Sequence, residues 1–259
     1  MKWPPGGRFL TIQHPPGGKQ TDSAKHESKH GMKINHICLM PGHSTKDGGA
    51  VVCGGPEPGL SEYQLASRYL PEIARGLRAR GYDVTITSRE QAGGTTPSYS
   101  GRAALATGAQ LAVEFHFNSA GASASGAECL YWYASSKGEY VARVLAGSCA
   151  AVLGLRNRGA KPRFSNAVQA KAHGYDASAA RGVGMFETCW DSPQVCIPVM
   201  VEPCFAGSNE VDAVRLLRTG GASGLLCALW PSRTAAGRQR RGCGRAVRRC
   251  GAGILPSDR

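Results

Sequence analysis

Residues 34–40, Ile34-Asn35-His36-Ile37-Cys38-Leu39-Met40, form a short apolar run that stops at Pro41-Gly42 and passes directly into His43 and the segment STKDGGA (residues 44–50). An apolar run of that length, ended by Pro and Gly, is the pattern of a buried strand. Downstream, Ser61 can cap a helix, with Gln64 three positions on to complete a capping box, and Leu65, Tyr69, Ile73 and Leu77 fall on one stripe. Pro71 inside that helix predicts a kink. Gly81 ends it, and residues 82–87 read as a second strand. A short helix around residues 101–107 leads to a third strand at 110–117. Another strand at 127–133, a helix at 138–153, a late core strand at 197–201 and a helix near 209–218 complete the pattern. Strands alternating with helices at this spacing mean βαβ units. The expected fold is therefore α/β: a single domain with a mostly parallel twisted sheet flanked by helices.

The chain has 259 residues, enough for one well-packed core and short for two catalytic domains. Its 31 Lys+Arg against 18 Asp+Glu give a net charge of +13. That excess sits mostly at the ends: residues 1–31 hold 5 basic and 2 acidic side chains, and residues 231–259 hold 8 and 1. Residues 32–230 are left with 18 basic and 15 acidic groups, an ordinary globular surface. The first 31 residues repeat Pro-Pro-Gly-Gly and then run polar with no apolar period, which predicts a flexible tail. After about Trp230, Ala, Gly and Arg dominate, so residues 231–259 are expected to be a basic tail without a core face, and residues 32–230 the folded domain.

No apolar run approaches the ~20 residues a membrane span needs, and no leader pattern opens the chain. A protein made in the cytoplasm without a signal peptide, and a monomer, is expected. The ten cysteines contain no CxxC and no zinc-knuckle spacing. Most read as small buried hydrophobes, with a disulfide framework as the alternative.

In parallel α/β sheets ligands bind beyond the carboxyl ends of the strands. His43 follows the first strand, His116 ends the third, Glu202 ends the late one, and Glu62 stands in the first turn of the first helix on the same rim. Two imidazoles and a carboxylate make a catalytic zinc site with one position open, and the fourth group is then available as a base. Each also has a plain structural reading, as a core histidine, a cap or an ion-pair member, and no HExxH helix supports the metal.

Several segments, taken together, add a resemblance. GHSTKDGGA (42–50), Ser61-Glu62, EFHFNSA (114–120), GAECLYWY (126–133), LGLRNRGAKP (153–162) and VEPCFAGSNEVD (201–212) occur in the order found in zinc-dependent N-acetylmuramoyl-L-alanine amidases of phage endolysins and bacterial autolysins. The chain resembles that family over roughly residues 33–218. The resemblance implies one Zn²⁺ per chain held by His43, Glu62 and His116, with Glu202 as the catalytic carboxylate and peptidoglycan as substrate. It also implies cleavage between N-acetylmuramic acid and L-alanine by zinc-activated water, in a phage or prophage lysin acting on the cell wall after release. Two departures stand out: Thr107-Gly108 occupies the place of the family's Ala-Asn pair after Arg102, and Gly220, Gly221 and Gly224 crowd the start of the expected closing helix.

Other residues carry weaker readings. Asn118 either holds its loop or touches substrate, and Glu128 either supports the site from its strand or lies half exposed. Arg156, Arg158 and Lys161 read as a basic loop that meets peptide carboxylates or is simply solvated. Cys204 beside Glu202 would be a nucleophile only with a fixed histidine partner. A zinc carboxypeptidase or peptide hydrolase on a related sheet is the main rival function. A basic nucleic-acid-binding protein is the second, disfavoured because the central region is nearly neutral and lacks interleaved basic and aromatic residues, so no specific nucleic-acid partner is expected. The arginine-rich C-terminus would suit an anionic wall or membrane surface.

Overall fold

The structure, a computed structural model, describes residues 10–11, 33–54 and 58–218. The expected C-terminal tail and all of residues 1–31 except 10 and 11 lie outside the described residues; β1 (Leu10–Thr11) pairs antiparallel with β2 (Lys33–Ile34). The six remaining strands are β3 (His36–Pro41), β4 (Asp83–Ile86), β5 (Leu111–Phe115), β6 (Ala127–Trp132), β7 (Asn157–Arg163) and β8 (Ile197–Glu202). They form one sheet in the order β4-β3-β5-β8-β6-β7. β4, β3, β5 and β8 are mutually parallel, whereas β6 runs antiparallel to β8 and parallel to β7. The α/β expectation holds, with a two-stranded reversed edge.

Alternate residues of each strand face opposite layers, as the two-residue repeat requires. Leu39, Val113 and Val199 pack with Leu65 and Ile73 of α1 (Glu62–Arg78), Leu145 of α3 (Ser136–Leu153) and Leu216 of α6 (Glu210–Arg218). Cys38, Ala112 and Met200 pack instead with Ala104 of α2 (Pro97–Ala106) and Phe186 of α5 (Gly184–Trp190). Two helical layers thus cover both faces, which explains why the central strands read as unbroken apolar runs.

Ser61 caps α1 through the reciprocal Ser61–Gln64 box read from the sequence, and the helix continues through Pro71. α2 begins four residues earlier than expected, at Pro97, the residue pre-shaped for a first helical turn. The basic segment holding Arg158 and Lys161 is strand β7, not a loop; its Gly and charged residues hid an edge strand. α4 (Ala167–Ala172) and α5 carry no strong apolar period, so the sequence does not announce them. Of the described cysteines, all but Cys53 are buried, and none is in a disulfide. Among the described residues no helix is long and apolar enough to cross a membrane.

Candidate metal centre

The carboxyl ends of β3, β5 and β8 lie side by side, with Pro41 opposite Phe115 and Phe115 opposite Val201. The next residues extend that pairing: Gly42 N–H donates to Phe115 O at 2.7 Å, and His116 N–H to Val201 O at 2.9 Å. His43, His116 and Glu202 therefore emerge from three adjacent strands. Glu62 reaches the same rim from the first position of α1, which is held there by hydrogen bonds from Glu62 N–H to Ala50 O and from Tyr63 N–H to Gly48 O.

His43, Glu62 and His116 each present a ligand atom within 4.8 Å of the others. His116 Nδ1 is 2.7 Å from Glu62 Oε1, and His43 Nε2 is 3.3 Å from Glu62 Oε2. Glu62 is further fixed by N–H donors of Phe117 (2.9 Å) and Ala50 (3.2 Å). The backbone is shaped for this convergence. His43 is the only described non-glycine residue with φ in the left-handed region, at 63°, a conformation held only when its surroundings require it. A Cβ on Gly42 would lie 2.5 Å from His116 Cε1, and one on Gly49 would lie 2.5 Å from His43 Cδ2. Both glycines are demanded by the two imidazoles.

Electrostatically the centre is rich in buried carboxylate. Burial alone would raise the Glu62 carboxyl, but His116 and His43 bonded to it pull it well below the usual carboxylate range. Glu202 is likewise buried, lacks such partners, and is pushed up to about 8 by burial. Its Oε2 has no hydrogen-bond partner. Two imidazoles and closely placed carboxylates of this kind are the donor set of a divalent cation, and zinc accepts this nitrogen and oxygen combination. The residues present fit that ion.

Around this core, Glu128 pairs with Glu202 across β6 and β8, a juxtaposition created by the antiparallel run of β6. Asn118 Nδ2 donates to Glu128 Oε1 (2.9 Å), and Arg158 Nε donates to its Oε2 (2.6 Å). Arg158 also lies over the Phe205 ring at 4.8 Å. Glu128 is thus buried and doubly bonded rather than half exposed. Cys204 is fully buried, and burial raises its thiol well above the usual range, which removes it as a nucleophile.

Sequence reasoning misses Glu114 and Arg89. Glu114 is fully buried in β5 and accepts from Ser100 Oγ (2.5 Å) and Arg89 Nη2 (2.9 Å). A charge inside the run LAVEF is the available signal, since a strand buried on both faces carries a carboxylate only with a partner.

Residues 37–183, more than half of the chain, match the family model for N-acetylmuramoyl-L-alanine amidase. The chain belongs to that family. It is a peptidoglycan amidase by that membership, and the matched span contains His43, Glu62 and His116 and ends before Glu202. The fold is shared with solved amidase structures. The catalytic domain of the CD27L endolysin targeting Clostridia difficile is 22% identical, with a TM-score of 0.52 over 75% of this chain and 93% of that one. The amidase AmiC2 of Nostoc punctiforme is 20% identical, with a TM-score of 0.53 over 75% of this chain and 92% of that one. An amidase from Neisseria meningitidis is 24% identical, with a TM-score of 0.50 over 75% and 93%. No curated protein matches the sequence.

Proposed function

We propose that this amidase hydrolyses the bond joining the lactyl group of N-acetylmuramic acid to L-alanine, with zinc at His43, Glu62 and His116 and with Glu202 as general base and acid. The observation that carries the reading is the placement of those three ligand atoms within 4.8 Å on the rim where β8 delivers Glu202. Zinc bound there would polarise the scissile carbonyl and acidify a water molecule. Glu202 Oε2, buried and unpartnered, is the atom to take the proton from the attacking water and return it to the departing alanine nitrogen. The mechanism uses no covalent intermediate, and the Cys204 thiol two residues on is buried, with burial pushing it well above the usual range.

Glu128 keeps a second carboxylate beside Glu202, and Asn118 and Arg158 hold Glu128 in place. Arg158, 31% exposed at its side chain, also offers a cation to the stem peptide next to the scissile bond. We propose the cellular role of a phage or prophage lysin, one of the two kinds of wall amidase that the motif segments resemble. Mass spectrometry of purified peptidoglycan after digestion tests the bond assignment. Release of intact stem peptides with a free L-alanine amine is expected, and release of single C-terminal residues would replace this reading with a carboxypeptidase.

A further inference from the structure

Glu114 stands two residues before His116, so both side chains project from the same face of the β5 run. His116 turns Nδ1 toward Glu62 and Nε2 toward Glu114, whose Oε2 is 3.3 Å away. That is ion-pair distance, short of an aligned hydrogen bond, and neither His116 Nε2 nor Glu114 Oε2 is bonded to anything else. Each is buried, so each needs the other. The opposite oxygen, Oε1, is gripped three times: by Ser100 Oγ at 2.5 Å and by Arg89 Nη2 and Nε at 2.9 and 3.2 Å. Arg89 Nε also reaches Ser100 Oγ at 2.8 Å. With Oε1 saturated, the carboxylate has one free acceptor and one buried donor in front of it.

Arg89 belongs to the turn that follows β4, and its neighbour Glu90 bonds the loop that carries the other histidine. Glu90 Oε1 accepts from Thr45 N–H at 2.6 Å, two residues past His43 in the loop where His43 takes its left-handed φ. Two successive side chains, Arg89 and Glu90, therefore brace the segments that carry both imidazoles.

We propose that Glu114, locked by Arg89 and Ser100, is a positioning residue that keeps the proton of His116 on Nε2 and so leaves Nδ1 free as a metal ligand. The inference rests on the zinc reading of the site. Its physical basis is that a neutral imidazole has one N–H and one lone pair, and the partner of the first decides which nitrogen offers the second. An amide at position 114 reverses this. Its carbonyl oxygen would replace Oε1 as acceptor for Arg89 and Ser100, and its NH₂ would face Nε2, which must then accept, moving the ring proton to Nδ1.

The test is zinc affinity of the full chain, read by competition with a chromophoric chelator. Glu114→Gln is expected to bind zinc about 10- to 100-fold more weakly than the unaltered protein. The triple variant Arg89→Met/Ser100→Ala/Glu114→Met removes the buried charges together, so that neither is left as a lone buried ion, and takes away the acceptor facing His116 Nε2. It is expected to keep the thermal midpoint of the metal-free protein while showing the same fall in zinc affinity, a split that a merely structural role would not produce. Unaltered zinc affinity in either folded variant overturns the proposal, and if Glu114→Gln does not fold, the triple variant decides. Failure of the unaltered chain to bind zinc at all would instead reject the zinc reading itself.

Discussion

At the scale of single residues, the proposed division of the four rim groups into three metal holders and a proton carrier is supported by their different surroundings. Glu62 accepts from two backbone N–H groups and faces both imidazoles, the environment of a carboxylate kept ionised. Glu202 has the opposite environment, buried with an unbonded oxygen and raised to about 8. Glu202→Gln should therefore retain zinc near one equivalent while turnover falls by roughly 10²- to 10⁴-fold, whereas His43→Ala should lose both metal and turnover. Metal analysis beside a rate assay separates the two; an emptied site in Glu202→Gln would make Glu202 a ligand. Gly42 offers a stricter check, because a single methyl there would sit 2.5 Å from the His116 ring. Gly42→Ala should swing that ring and weaken zinc binding by roughly tenfold or more, the scale on which a misoriented ligand acts, measured by chelator competition. Normal affinity would show that the ring can move aside without leaving the metal.

At the scale of elements, the rim depends on how α6 is tied to the reversed edge of the sheet. Asp212 of α6 is fully buried and accepts from Ser125 Oγ at 2.6 Å, Gly126 N–H at 3.1 Å and Phe205 N–H at 3.0 Å. It thereby joins the entry to β6, where Glu128 lies, to the segment that follows Glu202. Asp212→Ala leaves buried donors without partners, at about 1–3 kcal/mol for such a group. The expected cost is ~2–4 kcal/mol of unfolding free energy by denaturant titration. A change under ~0.5 kcal/mol would mean that the clasp is solvated rather than stabilising. The helix expected near 209–218 is α6, whose buried Ala213 and Leu216 complete one face of the core, and the closing helix questioned beyond it, at the glycines 220, 221 and 224, lies outside the described residues.

At the scale of the whole molecule, every proposed catalytic group lies between residues 43 and 202, within the α/β sandwich, while the excess positive charge lies mainly beyond it. Arg238, Arg240, Arg241, Arg245, Arg248 and Arg249 gather in a stretch with almost no acid, suited to anionic wall polymers or lipid phosphate and sensitive to salt. Deleting residues 231–259 should leave hydrolysis of small soluble muropeptides unchanged and slow attack on intact walls at low salt. Equal rates on intact walls with and without the segment would reject an anchoring role. What the sequence determined by itself was local: the alternation of strands and helices, the Ser61 cap, and the residue types at strand ends, because periodicity and capping are properties of neighbours in the chain. The candidate metal set was legible as a group of strand-end residues, each with a plain structural alternative, and the resemblance of the related segments added weight to that grouping. Tertiary structure alone decided that β6 runs against β8 and sets Glu128 beside Glu202, that a charged, glycine-containing segment is the edge strand β7, and that Arg89 finds Glu114 across 25 positions. Strand order and buried ion pairing depend on which distant surfaces pack together, and no local period of the sequence carries that choice.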